Sequence, residues 1–394
     1  MLQEISIDQL VIGMYVNRVI AQSGELPIRS KGFVKTQSLI DKLKAKGISA
    51  LEIDTSKGVA PSEKVAEDQS SAIIERPINT PQSMQASLNV ATELYEDAKA
   101  IQEAFINTLK SGGNIDINDV NQLSNNIIEC VFDNTDAIIL LSMLKRAEEY
   151  FIEHSIDCTI LMALFMKFLG YDSKTTEDAC LGALLMDIGM ADVPSEIVAS
   201  RQRLSPADWS VIKSHVDIGL MWLEQYELPS LVTTIIAQHH ERLDGSGYPK
   251  GLKDDDITVV GRIAAIVDCY DAMISKRAYH EALPPARALK RLADNAGLDQ
   301  VLVKQFIQCI GLYPVGSLVK LSNGRLAMVT KANDHDLLSP VVMSFYNISG
   351  GHYNEIKQLD LSKVDTHIVT SVTPQEFNLD LPKFFTDIFV HQLS

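Results

Sequence analysis

The chain has 394 residues, long for one core, so two or three domains are expected. Its 35 basic and 51 acidic residues give a net charge of −16, which opposes a general grip on a nucleic-acid polymer, because that grip needs a basic footprint. No apolar run reaches the roughly 18 residues of a membrane span. The start, Met1-Leu2-Gln3-Glu4, lacks the basic and apolar regions of a signal peptide, and the five cysteines include no C-x-x-C pair, so a cytoplasmic location is expected.

Residues 1–55 read as a small α+β domain. Leu10 to Val16 is a strand-like apolar run, Ser38 to Lys46 a helix that Ser38 caps and Gly47 ends, and Ala50 to Asp54 a further strand. From 56 to 82 Lys, Glu, Asp, Ser and Pro dominate, which predicts a flexible linker. Ser83 to Lys110 then sets Leu88, Ala91, Leu94, Ala98, Ile101, Phe105 and Leu109 near one helical face, and Gly112-Gly113 stop that helix. A helix over Val120 to Asp133 follows, and 83–143 together make a helical connector.

Residues 144–312 read as helix after helix. The spacing predicts helices over Arg146 to Leu169, Thr176 to Ile188, Leu231 to Glu241, Asp256 to Ser275 and Pro285 to Ala296. Another opens at Ser205-Pro206-Ala207-Asp208, with Ser as N-cap and Pro at the first helical position. From 313 to 394 the pattern turns to strands: Ser317 to Leu321 and Arg325 to Thr330 flank the turn signal Ser322-Asn323-Gly324, and Val341 to Tyr346 adds a third. The expected fold class is multidomain and mainly α, with a small N-terminal α+β domain, a central all-α bundle and a small C-terminal β-rich module.

Within the helical region His154, Asp187, His215, the run His239-His240-Glu241 and Asp268 fall on five predicted helices. Imidazoles and carboxylates projecting inward from separate helices can build a transition-metal site in a bundle core. Such ions polarise a phosphoryl group and supply a nucleophile near neutral pH. A lone helical histidine is more often a core or surface residue than a ligand. His280, His335, His352, His367 and His391 are read that way.

The string His239-His240-Glu241-Arg242-Leu243-Asp244-Gly245-Ser246-Gly247-Tyr248-Pro249 is similar to the H-H-E-x-x-D-G-S-G-Y-P motif of the HD-GYP family of cyclic di-GMP phosphodiesterases. The resemblance runs from about 145 to 312, through Leu185-Met186-Asp187-Ile188-Gly189, Val267-Asp268-Cys269-Tyr270-Asp271-Ala272 and Ser275-Lys276-Arg277. Gly13-Met14-Tyr15-Val16 carries a weaker match to a domain of unknown function that often precedes HD-GYP domains. The resemblance implies an HD-type bundle that hydrolyses cyclic di-GMP to linear pGpG or GMP with a divalent transition metal, iron or manganese foremost. It implies one ion held by Asp187, His215, His239 and His240, and another by His154, a bridging Asp187 and Asp268, with Asp187 and Asp268 catalytic. Tyr248, Arg277 and Asp271 would contact the dinucleotide. The local sequence suits such a loop: Gly245 and Gly247 permit a tight turn and Pro249 stiffens it.

Three departures weaken the pattern. Met186 stands where the family carries a ligand histidine, and Met190 where it carries a phosphate-binding lysine. Tyr150 stands four residues before His154, where members with three metals carry Glu. Thioether is a weak, soft donor beside oxygen chemistry and carries no charge. One well-formed ion site and one impaired site are therefore expected, with reduced phosphodiesterase activity. The alternative is a catalytically inactive adaptor that binds cyclic di-GMP, or a partner such as a cyclic di-GMP synthase domain, through Gly247-Tyr248-Pro249. A third reading is single-ion hydrolysis of another phosphoester. The Ser83 to Lys110 helix could also pair with its copy in a homodimer.

Overall fold

The structure, a computed structural model, describes the chain apart from residues 1, 8–9, 11–13, 23–31, 35–39, 41–42, 45–47, 55–80, 114–115, 145–149, 201, 276–281, 334–335 and 382–394. Contacts divide the chain into two units, Met1–Pro77 and Ile78–Ser394. The linker expected over 56–82 lies, up to residue 80, outside the described residues, as does most of the helix expected from Ser38 to Lys46.

The first unit is an antiparallel sheet of β1 (Leu2–Ser6), β2 (Tyr15–Gln22), β3 (Gly32–Phe33) and β4 (Ile48–Asp54), in the order β1-β4-β2-β3. Alternate residues of a strand face opposite sides. Leu51 and Ile53 of β4 accordingly point into a core with Ile5, Met14 and Val16, while Glu52 between them accepts hydrogen bonds from Asn17 and Arg18. The strand expected at Leu10 to Val16 starts instead at Tyr15 and runs on to Gln22. Leu10 and Met14 are buried without being in a strand, so their hydrophobicity reports core and not strand.

In the second unit α1 (Pro81–Lys110), α2 (Ile117–Asp133) and α3 (Thr135–Leu144) precede α4 (Tyr150–Leu169) and α5 (Ser173–Leu185). Then come α6 (Pro206–Lys213), α7 (His215–Leu223), α8 (Ser230–Gln238), α9 (Val259–Ile274), α10 (Pro285–Ala293) and α11 (Gln300–Ile310). A five-stranded antiparallel sheet follows, built from β5 (Leu318–Leu321), β6 (Arg325–Lys331), β7 (Val341–Asn347), β8 (His352–Asp360) and β9 (Ile368–Ser371) in the order β8-β7-β6-β5-β9. Helices and sheet share one apolar core, in which Phe105, Phe165, Phe306, Leu326 and Phe345 all take part. The fold is multidomain and mainly α.

Among the helix boundaries that differ from the sequence expectation, three bear on the site. The helix capped by Ser205 does not run through His215. Ser214 Oγ donates back to the Val211 carbonyl at 2.7 Å, a bond that competes with the helical ladder, and His215 opens a new helix. The helix expected to end at Glu241 stops at Gln238, where the Glu241 amide bonds the Gln238 carbonyl in a tighter turn. The helix expected through Ile188 stops at Leu185 and passes, through Met186 and Asp187, into a 3-10 turn over Ile188–Asp192.

That 3-10 turn lies against α7 through two glycines. A Cβ on Gly189 would fall 2.0 Å from the His215 carbonyl oxygen and 2.7 Å from the Gly219 amide nitrogen. Both obstacles are backbone, so only glycine lets Asp187 and His215 approach. Gly189→Ala is expected to cost about 1–3 kcal/mol, the usual penalty of overpacking, read as a lower urea midpoint with an unchanged slope. A midpoint equal to wild type would show that the approach is not tight.

Candidate metal centre

Four of the ligand-type residues lie at helix ends, and the others lie within α4 and α9. Asp187 leads the 3-10 turn after α5, His215 begins α7, and His239 and His240 follow α8 directly. His154 lies in the first turns of α4, and Asp268 and Asp271, three residues apart, share one face of α9. Gln238 ties two of these elements together. Its Oε1 accepts from the Thr258 amide at 2.9 Å and the Thr258 hydroxyl at 2.8 Å, which pins the start of α9 to the end of α8.

Asp187 joins two groups of donors. Its Oδ1 lies 3.2 Å from His215 Nε2 and 3.8 Å from His239 Nε2, and its Oδ2 lies 3.2 Å from His154 Nε2. On the first side, His215 Nδ1 donates to the Ile212 carbonyl at 2.7 Å and His239 Nδ1 to the Ile236 carbonyl at 2.8 Å. A neutral ring so held presents Nε2 as a lone pair, and a protonated one donates from it. Those two Nε2 atoms face each other at 3.3 Å beside a carboxylate oxygen. Lone pairs converging in a buried space call for a positive centre, either a proton or a metal. One donor atom each from Asp187, His215, His239 and His240 lies within 4.8 Å of the others. This borderline N/O donor set fits a divalent transition ion.

On the second side, His154 Nε2 faces Asp187 Oδ2 and Asp268 Oδ1, both at 3.2 Å. His154 Nδ1 bonds Asp271 Oδ2 at 2.6 Å, and Ser275 Oγ donates to that same oxygen at 3.1 Å. His154, Asp187 and Asp268 form a second group of donors, three where the first has four. Met186, the residue beside Asp187, is fully buried and belongs to the apolar core. Met190 lines the open cleft.

The electrostatics follow from these contacts. Burial disfavours charge on Asp187, but hydrogen bonds from His154, His215 and His239 outweigh it and hold the carboxyl well below its ordinary range. Asp268 is likewise depressed, with burial opposed by His240 and His154. Burial also opposes charge on His215, yet the Asp187 carboxylate raises its pKa above the usual imidazole value. His240 goes the other way, to about 3, because it is buried and lies beside His239. His240 is thus a neutral donor throughout the physiological range.

The glycine-rich loop folds back over these rings. The Tyr248 ring lies 4.5 Å from that of His240 and 6.3 Å from that of His215, with Lys213 Nζ 5.2 Å from its centroid. Glu241, only 1% exposed, is a clasp and not a ligand: its two oxygens accept from the Lys250 amide at 2.8 Å and the Leu252 amide at 2.9 Å. A Cβ on Gly247 would lie 2.5 Å from Glu241 Cα, so the loop closes only with glycine there. The rings open on a cleft of about 2080 Å³, whose walls include Trp209, Arg242, Tyr248 and, from beyond the last strand, Pro374 and Leu381.

Residues 139–302 match the model of a family described as an HD domain, and residues 2–120 match a domain of unknown function, DUF3391. Residues 139–302 thus carry an HD domain, similar in sequence to proteins named cyclic di-GMP phosphodiesterases. Among its relatives is a cyclic di-GMP phosphodiesterase of Pseudomonas aeruginosa, 29% identical over 88% of this chain and 86% of that protein. A cyclic di-GMP phosphodiesterase of Thermotoga maritima is 30% identical over 42% of this chain and 45% of its own length. A 3'3'-cGAMP-specific phosphodiesterase of Vibrio cholerae is 38% identical over 25% of this chain and 19% of its own length.

Asp271, expected at the substrate, is 2% exposed, and its Oδ2 is engaged by His154 Nδ1 and Ser275 Oγ, which fixes the orientation of the His154 ring. Arg277 and His280 lie outside the described residues, as do His335 and His391. His352 and His367 are exposed, away from the centre. The clasp of Glu241 escaped sequence reasoning, although its place within a glycine-rich motif was a signal. Among the described residues no helix is long and apolar enough to cross a membrane.

Glu241→Ala leaves two loop amides without their acceptor and is expected to cost about 1–3 kcal/mol of stability. Metal content by elemental analysis should stay unchanged, because Glu241 belongs to neither donor group. A loss of bound metal in a folded variant would make Glu241 a ligand after all.

Proposed function

We propose that this chain is a metal-dependent phosphodiesterase of cyclic di-GMP, producing linear pGpG or GMP, with turnover reduced by Met186 and Met190. The observation that carries the reading is Asp187, a single buried carboxylate with one oxygen toward His215 and His239 and the other toward His154. The Pseudomonas aeruginosa relative, matched over 86% of its length, bears the name of that activity. The Vibrio cholerae relative widens the ligand class to cyclic dinucleotides generally.

Iron or manganese bound here would polarise the phosphodiester and supply a nucleophile near neutral pH. The chain's own residues do the rest. Asp187, His215, His239 and His240 hold the first ion, and His154 and Asp268, with Asp187 shared, hold the second more weakly. Tyr248, packed on His240, forms the mouth where the dinucleotide enters, and Lys213 and Arg242 offer positive charge nearby. Arg277 is proposed as a further phosphate contact.

A second reading is a non-catalytic binder of the same ligand, with Gly247-Tyr248-Pro249 also open to a protein partner such as a synthase domain. Met186 favours it: it is wholly buried in apolar surroundings, and three donors hold an ion less firmly than four.

Protein loaded with manganese or iron(II) and incubated with cyclic di-GMP decides between them. Slow formation of pGpG that His240→Ala abolishes is the expected result. Binding with no product over hours would establish the non-catalytic reading. In the joint variant Met186→His with Met190→Lys, turnover should rise by at least the 10–100-fold that a weakened ligand environment typically costs. No gain in turnover or in bound metal would refute the ligand grouping.

A further inference from the structure

Helix α1 lies outside the stretch that matches the HD domain and inside the stretch, 2–120, that matches DUF3391. Its contacts nevertheless place it in the second unit. Along one face of α1, Tyr95, Lys99 and Gln102 stand at i, i+4 and i+7, the spacing of a single helical stripe. Burial and the neighbouring carboxylates of Asp157, Glu153 and Asp271 push the Tyr95 hydroxyl well above its ordinary range, with Asp157 as its side-chain partner. Lys99 Nζ lies 3.5 Å from Glu153 Oε1. Gln102 Nε2 donates to the Leu184 carbonyl at 2.8 Å.

The three partners are not scattered. Glu153 immediately precedes His154, and Asp157 follows it by three residues on the same turn of α4. Leu184 lies three residues before Asp187, at the end of α5. Tyr95, Gln102, Glu153, Asp157 and Leu184 are all buried, as are Ala91 and Ala98 of α1, and α1 packs on α4 and on the 3-10 turn that Asp187 leads. Small apolar side chains permit close approach but tolerate sliding. Buried directional bonds do not, because each one lost leaves a desolvated polar group.

We infer that α1 is a positioning element of the metal centre, with Tyr95, Lys99 and Gln102 as positioning residues that set His154 against Asp187. Two of the three tethers hold the turn of α4 that carries His154, and the third holds the end of α5 that leads to Asp187. None touches α7 or α8, which carry His215 and His239. The stripe therefore governs the three-donor side, where no fourth donor compensates for a displaced imidazole. The stretch matched as DUF3391 thus supplies its last long helix to the neighbouring HD domain, and a boundary drawn at residue 139 cuts through a working unit. The inference rests on reading His154 and Asp187 as ligands.

The test uses the full chain labelled with ring-15N histidine, which has nine histidines to resolve. Tyr95→Phe removes one hydroxyl and keeps the packing, and Lys99→Met and Gln102→Leu remove the other two tethers. Each variant should shift or broaden the His154 ring signals, assigned through His154→Gln, and leave those of His352 and His367 in place. Manganese titration followed by electron paramagnetic resonance should show the tight equivalent unchanged and the weaker one about tenfold weaker or more. His154 signals that superimpose on wild type in Tyr95→Phe overturn the inference, whether or not the other two variants fold. Wild-type protein that binds no manganese would instead overturn the metal reading, and the histidine spectra would still decide the role of α1.

Discussion

A buried carboxylate between three imidazoles is the constraint around which this domain is built. Taken alone, Asp187 would be driven toward its neutral form by burial. His154, His215 and His239 keep it ionised, and they do so from three different elements. Its two oxygens serve two donor groups, so a shift of one ångström in any of those elements would separate them. Much of the local architecture limits such shifts. Gly189 lets the 3-10 turn press on the backbone of α7, Gln238 fastens α8 to α9, and Asp271 holds His154 by its far nitrogen. These are supports for the groups that would hold a metal, and such supports weigh nearly as much as the ligands.

The two sides of Asp187 differ in kind. One has four donors, with His215 and His239 oriented by backbone carbonyls of the helices that precede them. The other has three, with an imidazole oriented by a carboxylate and a methionine next to the shared aspartate. Met186 is well accommodated where it lies, and its burial contributes to the core. On the proposed reading, Met186 supplies packing where a ligand would otherwise stand. Met190 lies at the cleft wall and brings no charge to it. The loop with Tyr248 packs on the four-donor side, through the His240 ring.

The long helical periodicities, the Ser205 cap and the hairpin after Leu321 were legible because each is a local pattern. The grouping of His215, His239 and His240 with Asp187 was legible only through resemblance to a motif, as no spacing in the chain announces that these four meet. The helix ends were misplaced where a side-chain bond or a tight turn overrides periodicity, at Ser214, Gln238 and Leu185. Strands β8 and β9 were missed because β8 is a polar, exposed edge with little alternation. The tethers from α1 were out of reach for a different reason: Gln102 and Leu184 are 82 residues apart, and a buried glutamine on an amphipathic helix looks like any other polar residue.

Anomalous diffraction from crystals of the full chain grown with manganese measures the asymmetry of the centre directly. One strong peak within bonding distance of Asp187, His215, His239 and His240 is expected, with a weaker peak, or none, beside His154 and Asp268. Equal peaks on both sides would contradict the account of Met186 as the loss of a ligand. A single peak on the His154 side would contradict the account of the centre as a whole.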